Sequence, residues 1–262
     1  MNRMFWGYLV RSVMAQQALI GDSFHKFLRL HRNVVELDVF LKTHHITNPH
    51  GKIADFILDG DYILEMKAFD DEFKNYLREA IEELEEQGIL PPLYGTMPFE
   101  YLIKDLPNRR EIKENLSGRA TRRVKNFIKD ANGQIEATKK LWRNEHAKGV
   151  VLVLNESDPI LMPQLVIDRF RSWINGQRKG IEIFIDIFIY IDVTNFAVID
   201  EKITKVFIIE IVPWRFANED EIENCYIYFE NLIKQYTKYK GGTYTSSPNI
   251  DFDSLEFFPY RK

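Results

Sequence analysis

A single cysteine, Cys225, is all that this 262-residue chain carries. That excludes an internal disulfide and any zinc or iron–sulfur site built on cysteines, and it fits a reducing compartment. Long apolar runs are also lacking. Met4 to Val10 is too short for a signal-peptide core and is closed by Arg11. Ile181 to Val193 is interrupted by Glu182, Asp186 and Asp192, so it predicts no membrane span. The expectation is a soluble, intracellular, cytoplasmic protein that does not meet a membrane. No repeat, low-complexity tract, P-loop, G-x-S-x-G, dinucleotide fingerprint or HExxH spacing occurs.

Hydrophobic residues make up 45% of the chain and charged residues 28%, a balance that supports a packed core and excludes wholesale disorder. The net charge of −4 argues against nonspecific coating of nucleic acid. Its distribution is uneven. Lys104 to Lys148 holds 13 Lys/Arg against 6 Asp/Glu, a local +7, whereas Asp70 to Glu86 holds 8 acids against Lys74 and Arg78. A basic segment in an acidic chain suits a localised phosphate-binding face, and equally the wet side of a helix.

Apolar spacing predicts helix through Leu9 to Leu30, split at Gly21-Asp22, with Asp22 or Ser23 as N-cap. Asn33 to Lys42 is mixed, and His44 to Lys52 is a loop. Further helices are predicted at Asp70–Gln87, Arg119–Trp142, Leu161–Ile174 and Asn218–Tyr239. Val150 to Leu154 reads as a strand buried on both faces. Ile181 to Val193 reads as a long alternating strand, and Lys205 to Val212 as another beyond an Asp200-Glu201-Lys202 turn. This order predicts one α/β domain over residues 1–262, a mixed β-sheet flanked by helices and carrying helical insertions. Its core covers about 19–212, followed by a C-terminal helix at 218–240.

The most informative stretch is Gly51 to Phe69, GKIADFILDGDYILEMKAF. Ile53–Leu58 and Tyr62–Phe69 read as strands joined at Asp59-Gly60-Asp61. Residues i and i+2 share a strand face, so Glu65 and Lys67 point one way and Leu64, Met66 and Ala68 the other. The expected apolar face is Ala54, Phe56, Leu58, Tyr62, Leu64 and Met66. Register decides whether Asp55 joins Glu65. A two-residue turn sends Asp55 to the core side; a three-residue loop pairs Leu58 with Tyr62 and sets Asp55 opposite Glu65. The apolar pattern favours the second, because it buries Phe56 and Leu64 together. Two carboxylates and an ammonium then converge on one patch of sheet.

Paired carboxylate oxygens on adjacent strands suit Mg²⁺ or Mn²⁺. Such an ion polarises a phosphoryl oxygen and acidifies a water, while a neighbouring lysine steadies charge building on phosphorus. Asp55 followed by Glu65-x-Lys67 on an apolar hairpin resembles the PD-(D/E)xK nuclease superfamily, the restriction-endonuclease-like proteins. The resemblance covers about Leu19 to Leu154. It implies a mixed sheet flanked by helices, with Asp55 and Glu65 as metal ligands, the Met66 carbonyl beside them and Lys67 as catalytic lysine. Mg²⁺ or Mn²⁺ is the implied cofactor and DNA, or RNA, the implied partner. Gln134 on the following helix and Glu36 upstream match supporting positions of some subfamilies. The proline of the family's name is absent, since Ala54 precedes Asp55. A second E-x-K, Glu111-Ile112-Lys113, has no apolar strand around it.

Arg119, Arg122, Arg123, Lys125 and Lys129 are candidates for contacting backbone phosphates. His44, His45 and His50 precede Asp55 in a loop. Glu182, Asp186 and Asp192 share one parity and read as the solvated side of a strand. Tyr226, Tyr228, Phe229, Tyr236 and Tyr239 read as core packing on the last helix. The function expected is a metal-dependent endonuclease acting on DNA, with a homodimer or a partner protein compatible with paired cuts. The alternatives are an RNase or nucleotide phosphodiesterase, and a catalytically silent nucleic-acid-binding or protein-interaction module on the same fold.

Overall fold

The computed structural model describes residues 8–11, 20–47, 51–69, 79, 81–90, 105–156, 161, 163–176, 182–199, 202–241 and 246–247. Its centre is a mixed sheet of six strands: β2 (Val34–Glu36), β3 (Phe56–Leu58), β4 (Tyr62–Phe69), β5 (Lys148–Asn155), β6 (Ile187–Ile199) and β7 (Lys202–Pro213), in that order. The β4–β5 and β5–β6 pairs are parallel and the others antiparallel. Short strands β1 (Tyr8–Arg11) and β8 (Ser246–Ser247) extend the β7 edge. Tyr8–Arg11 is therefore strand where apolar spacing had predicted helix from Leu9, because it pairs with β7.

Parallel strands at the centre must be covered on both faces. One face packs α2 (Leu37–Thr43), α3 (Arg109–Trp142) and α4 (Pro163–Gly176) onto Ile57, Ile63, Val151, Val153, Phe188 and Tyr190. The other packs α1 (Ile20–Leu30) and α5 (Glu219–Tyr239) onto Phe56, Leu58, Leu64, Leu152, Ile189 and Ile211. Residues 81–86 are helical, while 70–78 and 80, part of the helix expected at Asp70–Gln87, lie outside the described residues. So do Asp200 and Glu201 of the expected turn, and His50.

Two helices, α1 and α3, depart from the sequence reading, while α5 keeps its expected bounds. α1 is helical from Ile20, the first residue described there, so Gly21-Asp22 lies inside it; the Gly21 N–H donates to Glu156 Oε1 at 2.5 Å. α3 begins at Arg109 and ends where Arg143 turns left-handed at φ 54°. α5 opens at Asn218, whose Oδ1 accepts the Glu221 N–H at 2.9 Å, with Glu219, Asp220 and Glu221 in the first turn. Phe229 and Tyr236 on α5 are buried as expected, whereas Tyr239 is exposed.

The alternation read into Ile181–Val193 misplaces its acids. Residues 182–186 precede β6, and Asp186 and Asp192 are buried rather than solvated; only Glu182 is exposed. Asp186 Oδ2 accepts the Gly149 N–H at 2.7 Å and faces Lys139 at 3.5 Å, which compensates its burial. Among the described residues no helix is long and apolar enough to cross a membrane.

Candidate functional site

The hairpin adopts the register that the apolar pattern demands. Leu58 pairs with Tyr62 and Phe56 with Leu64, and the Asp55 N–H donates to the Leu64 carbonyl at 3.1 Å. Asp59 at φ 52° and Gly60 at φ 80° make the loop, closed by Asp61 N–H onto the Leu58 carbonyl at 3.1 Å. Asn33 braces it, its Nδ2 donating to Asp59 Oδ1 at 2.8 Å. Ala54 departs from expectation. It packs with Ile57 and Ile63 on the α3 face, because β3 begins only at Phe56 and alternation does not reach back to it.

Helix α3 staples the segment before β3. The Ala54 N–H donates to Thr138 Oγ1 at 2.8 Å, and the Thr138 hydroxyl donates to the Gln134 carbonyl at 2.8 Å. Gln134 Nε2 donates to the Ile53 carbonyl at 3.0 Å. Asp55 is thereby held at the strand entry, where its Oδ2 accepts the Met66 N–H at 2.8 Å. A residue's N–H and C=O leave the same edge of an extended strand, so the Met66 carbonyl also faces the Asp55 side.

On β4, Glu65 is 1% exposed. Lys67 forms an ion pair with Glu65 Oε1 and donates to Gln134 Oε1 at 3.0 Å, with its side chain 21% exposed. Glu65 Oε2 is buried without a hydrogen-bond partner among the described residues. An unsatisfied buried carboxylate oxygen is costly, of order 1–3 kcal/mol or more. Burial, then the nearby Asp55 charge, pushes Glu65 up to about 7, against the pull of Lys67 and the neighbouring Gln134 amide. Burial likewise raises Asp55, opposed by the Met66 N–H, Lys67 and His25; the Asp38 charge adds to the rise. A positive charge placed beside the two acids would favour the ionised form of both.

The structure thus brings together Asp55, Glu65, Met66, Lys67 and Gln134. Glu36 ends β2 opposite Phe56 and is engaged by Arg29, whose Nε and Nη2 donate to its carboxylate at 2.7 and 2.5 Å. It shares with Asp55 and Gln134 the wall of a cavity of about 840 Å³, which His25, Asp38, Lys42 and His45 also line. Among the described residues no three His, Cys, Asp or Glu side chains cluster to hold a metal. The oxygens on offer are two carboxylates and the Met66 carbonyl. That hard donor set fits Mg²⁺ or Mn²⁺, ions that keep several waters, and the unsatisfied Glu65 oxygen is the atom such an ion would satisfy.

The five basic residues on α3 do not form one surface. At about 100° per residue, Lys125 lies opposite Gln134 on the helix, and Arg122 and Lys129 lie about 120–140° from it. All three are exposed, and Lys125 borders a small cavity with Arg169 and Trp173 instead. Arg123 falls on the site's side, its guanidinium 5.9 Å from the Phe69 ring and 5.4 Å from the Phe127 ring. The side chain of Arg119 lies outside the described set. Thr138, His25 and Asp38 were not singled out from sequence. The Q-x-x-x-T spacing of Gln134 and Thr138, one turn apart, was the available signal for the first.

Comparisons with family models, with curated proteins and with solved structures gave no match.

Proposed function

We propose that the chain is a divalent-metal-dependent nuclease of the PD-(D/E)xK type, hydrolysing phosphodiester bonds in DNA. The single observation that carries this reading is the buried Glu65, with one oxygen on Lys67 and the other unsatisfied, across the hairpin from Asp55. A structural ion pair on a sheet surface needs neither the burial nor the second acid. Asp55, Glu65 and the Met66 carbonyl would hold Mg²⁺ or Mn²⁺. When bound, that ion supplies Lewis-acid polarisation of a phosphoryl oxygen and lowers the pKa of water.

The chain's own residues do the rest. Glu65 and Gln134 fix the Lys67 ammonium from two sides, so it is already in place where negative charge builds on the phosphoryl oxygens. Gln134 and Thr138 hold the Ile53–Ala54 backbone and hence the position of Asp55. The Met66 N–H leaves only part of the Asp55 carboxylate committed. In the hydrolysis, water adds to phosphorus, one P–O ester bond breaks, and a proton ends on the leaving oxygen.

Cleavage of supercoiled, linear and single-stranded DNA and of RNA, with Mg²⁺, Mn²⁺ or EDTA, tests the proposal. Metal-dependent cutting is expected, and Lys67→Ala should reduce it at least about 100-fold, as loss of one charge-stabilising donor does elsewhere. Equal turnover by Lys67→Ala and wild type would overturn the assignment. Cutting of RNA alone would move the substrate class while keeping the chemistry.

A further inference from the structure

The cavity over Asp55 and Gln134 has an outer wall built from α2 and the segment after it. Lys42, in the last turn of α2, and Lys52, just before Ile53, both line it and are exposed. Neither side chain makes an ion pair or hydrogen bond among the described residues. The wall holds its shape without them: the His44 N–H donates to the Phe40 carbonyl at 3.0 Å, and the His44 ring lies 4.2 Å from the Phe40 ring. His45 follows in a left-handed conformation, φ 52°, and also lines the cavity.

Of the carboxylates lining the cavity, Asp55 is half-buried and Asp38 is exposed, as Lys42 and Lys52 are. Glu36 is already neutralised by Arg29. With a divalent cation on Asp55 and Glu65, the two rim ammonium groups of Lys42 and Lys52 outnumber Asp38, and the described lining carries a surplus of positive charge. On α3, by contrast, Arg122, Lys125 and Lys129 point away from Gln134 and therefore away from this opening.

We propose that Lys42 and Lys52 are the substrate-backbone contacts of this protein, holding phosphates that flank the reacting one, and that the exposed basic face of α3 is not. The assignment rests on the nuclease reading above and adds to it the path of the bound strand. Phosphate contacts of this kind position without reading sequence, and each removes a counterion on binding.

Binding of fluorescein-labelled single-stranded and duplex DNA to the full chain, read by anisotropy in Ca²⁺ across a range of salt, tests it. The variants are Lys42→Ala/Lys52→Ala and Arg122→Ala/Lys125→Ala/Lys129→Ala, each checked by thermal melting, which exposed substitutions should leave unchanged. The rim double variant should bind about tenfold more weakly. The slope of log K against log salt should fall by about 1.4 for a single strand or 1.8 for a duplex. In cleavage, the loss should fall on KM rather than kcat. The α3 triple variant should bind as wild type does. A triple variant that loses binding while the rim variant keeps it would overturn the rim assignment and leave the nuclease reading standing. A wild type that binds no DNA in Ca²⁺ would overturn both.

Discussion

At the scale of single residues, Glu65 sets the terms. Its carboxyl is buried at the side of Asp55 and pushed up to about 7, from an ordinary value of 4.5. A raised acid means that the folded protein holds a proton the unfolded chain has released. This group's stabilising contribution is thus fully present below about pH 4.5 and is lost as pH rises through about 7. Glu210, also raised to about 7 by burial, adds a slope of the same sign. Substituting Glu65→Gln isolates the share of Glu65. In EDTA, the wild type should lose stability between pH 5 and pH 8, and Glu65→Gln should lose measurably less, read as urea midpoints at both pH values. An identical pH dependence in the two proteins would show that Glu65 is not the strained group. The trio itself was legible from sequence because the hairpin's alternation fixed its register. Gln134 as the partner of Lys67 was not, since a contact 67 residues away along the chain depends on how α3 lies across the sheet.

At the scale of elements, the site depends on α3 lying close against β4 and β5. Gly149, at the start of β5, is one point of close approach. A Cβ there would sit 2.1 Å from the Phe184 carbonyl oxygen and 2.7 Å from Ile135 Cγ2 of α3. Its backbone is also fully used, with the N–H on Asp186 and the C=O accepting the Asp186 N–H at 2.8 Å. Gly149→Ala should therefore destabilise the fold by about 1–3 kcal/mol, the usual cost of overpacking, measured by urea denaturation. No loss would mean that Phe184 and α3 yield freely. Strands with one dominant pattern, such as β4 and β5, were readable. β6 misled because both of its faces are buried, so parity does not separate core from solvent: Phe188 and Tyr190 pack under α4 while Ile187 and Ile189 pack under α5. β1 misled because a strand of four residues is defined by the neighbours it pairs with, β7 and β8.

At the scale of the whole molecule, two apolar layers on the two faces of one mixed sheet leave the β3–β4 region bordered by α2 and α3. The net charge of −4 and the acids around Asp55 predict weak association with nucleic acid in EDTA and much stronger association once divalent cation is present. Filter binding with and without Ca²⁺ checks this, and equal affinity in both conditions would contradict it. The broad plan, an α/β fold with a mixed sheet flanked by helices, followed from the order of periodic segments. Which helix covers which face did not, because that is decided by packing between elements far apart in the chain.

Isothermal titration of the metal-free protein with Mn²⁺ at pH 8, wild type against Asp55→Asn, tests the central claim most directly. Asparagine keeps an acceptor for the Met66 N–H and removes only the charge. The account predicts saturable binding by the wild type, a rise in its melting temperature with Mn²⁺, and loss of both in Asp55→Asn. A wild type that takes up no Mn²⁺ and melts at the same temperature with and without it would contradict the account.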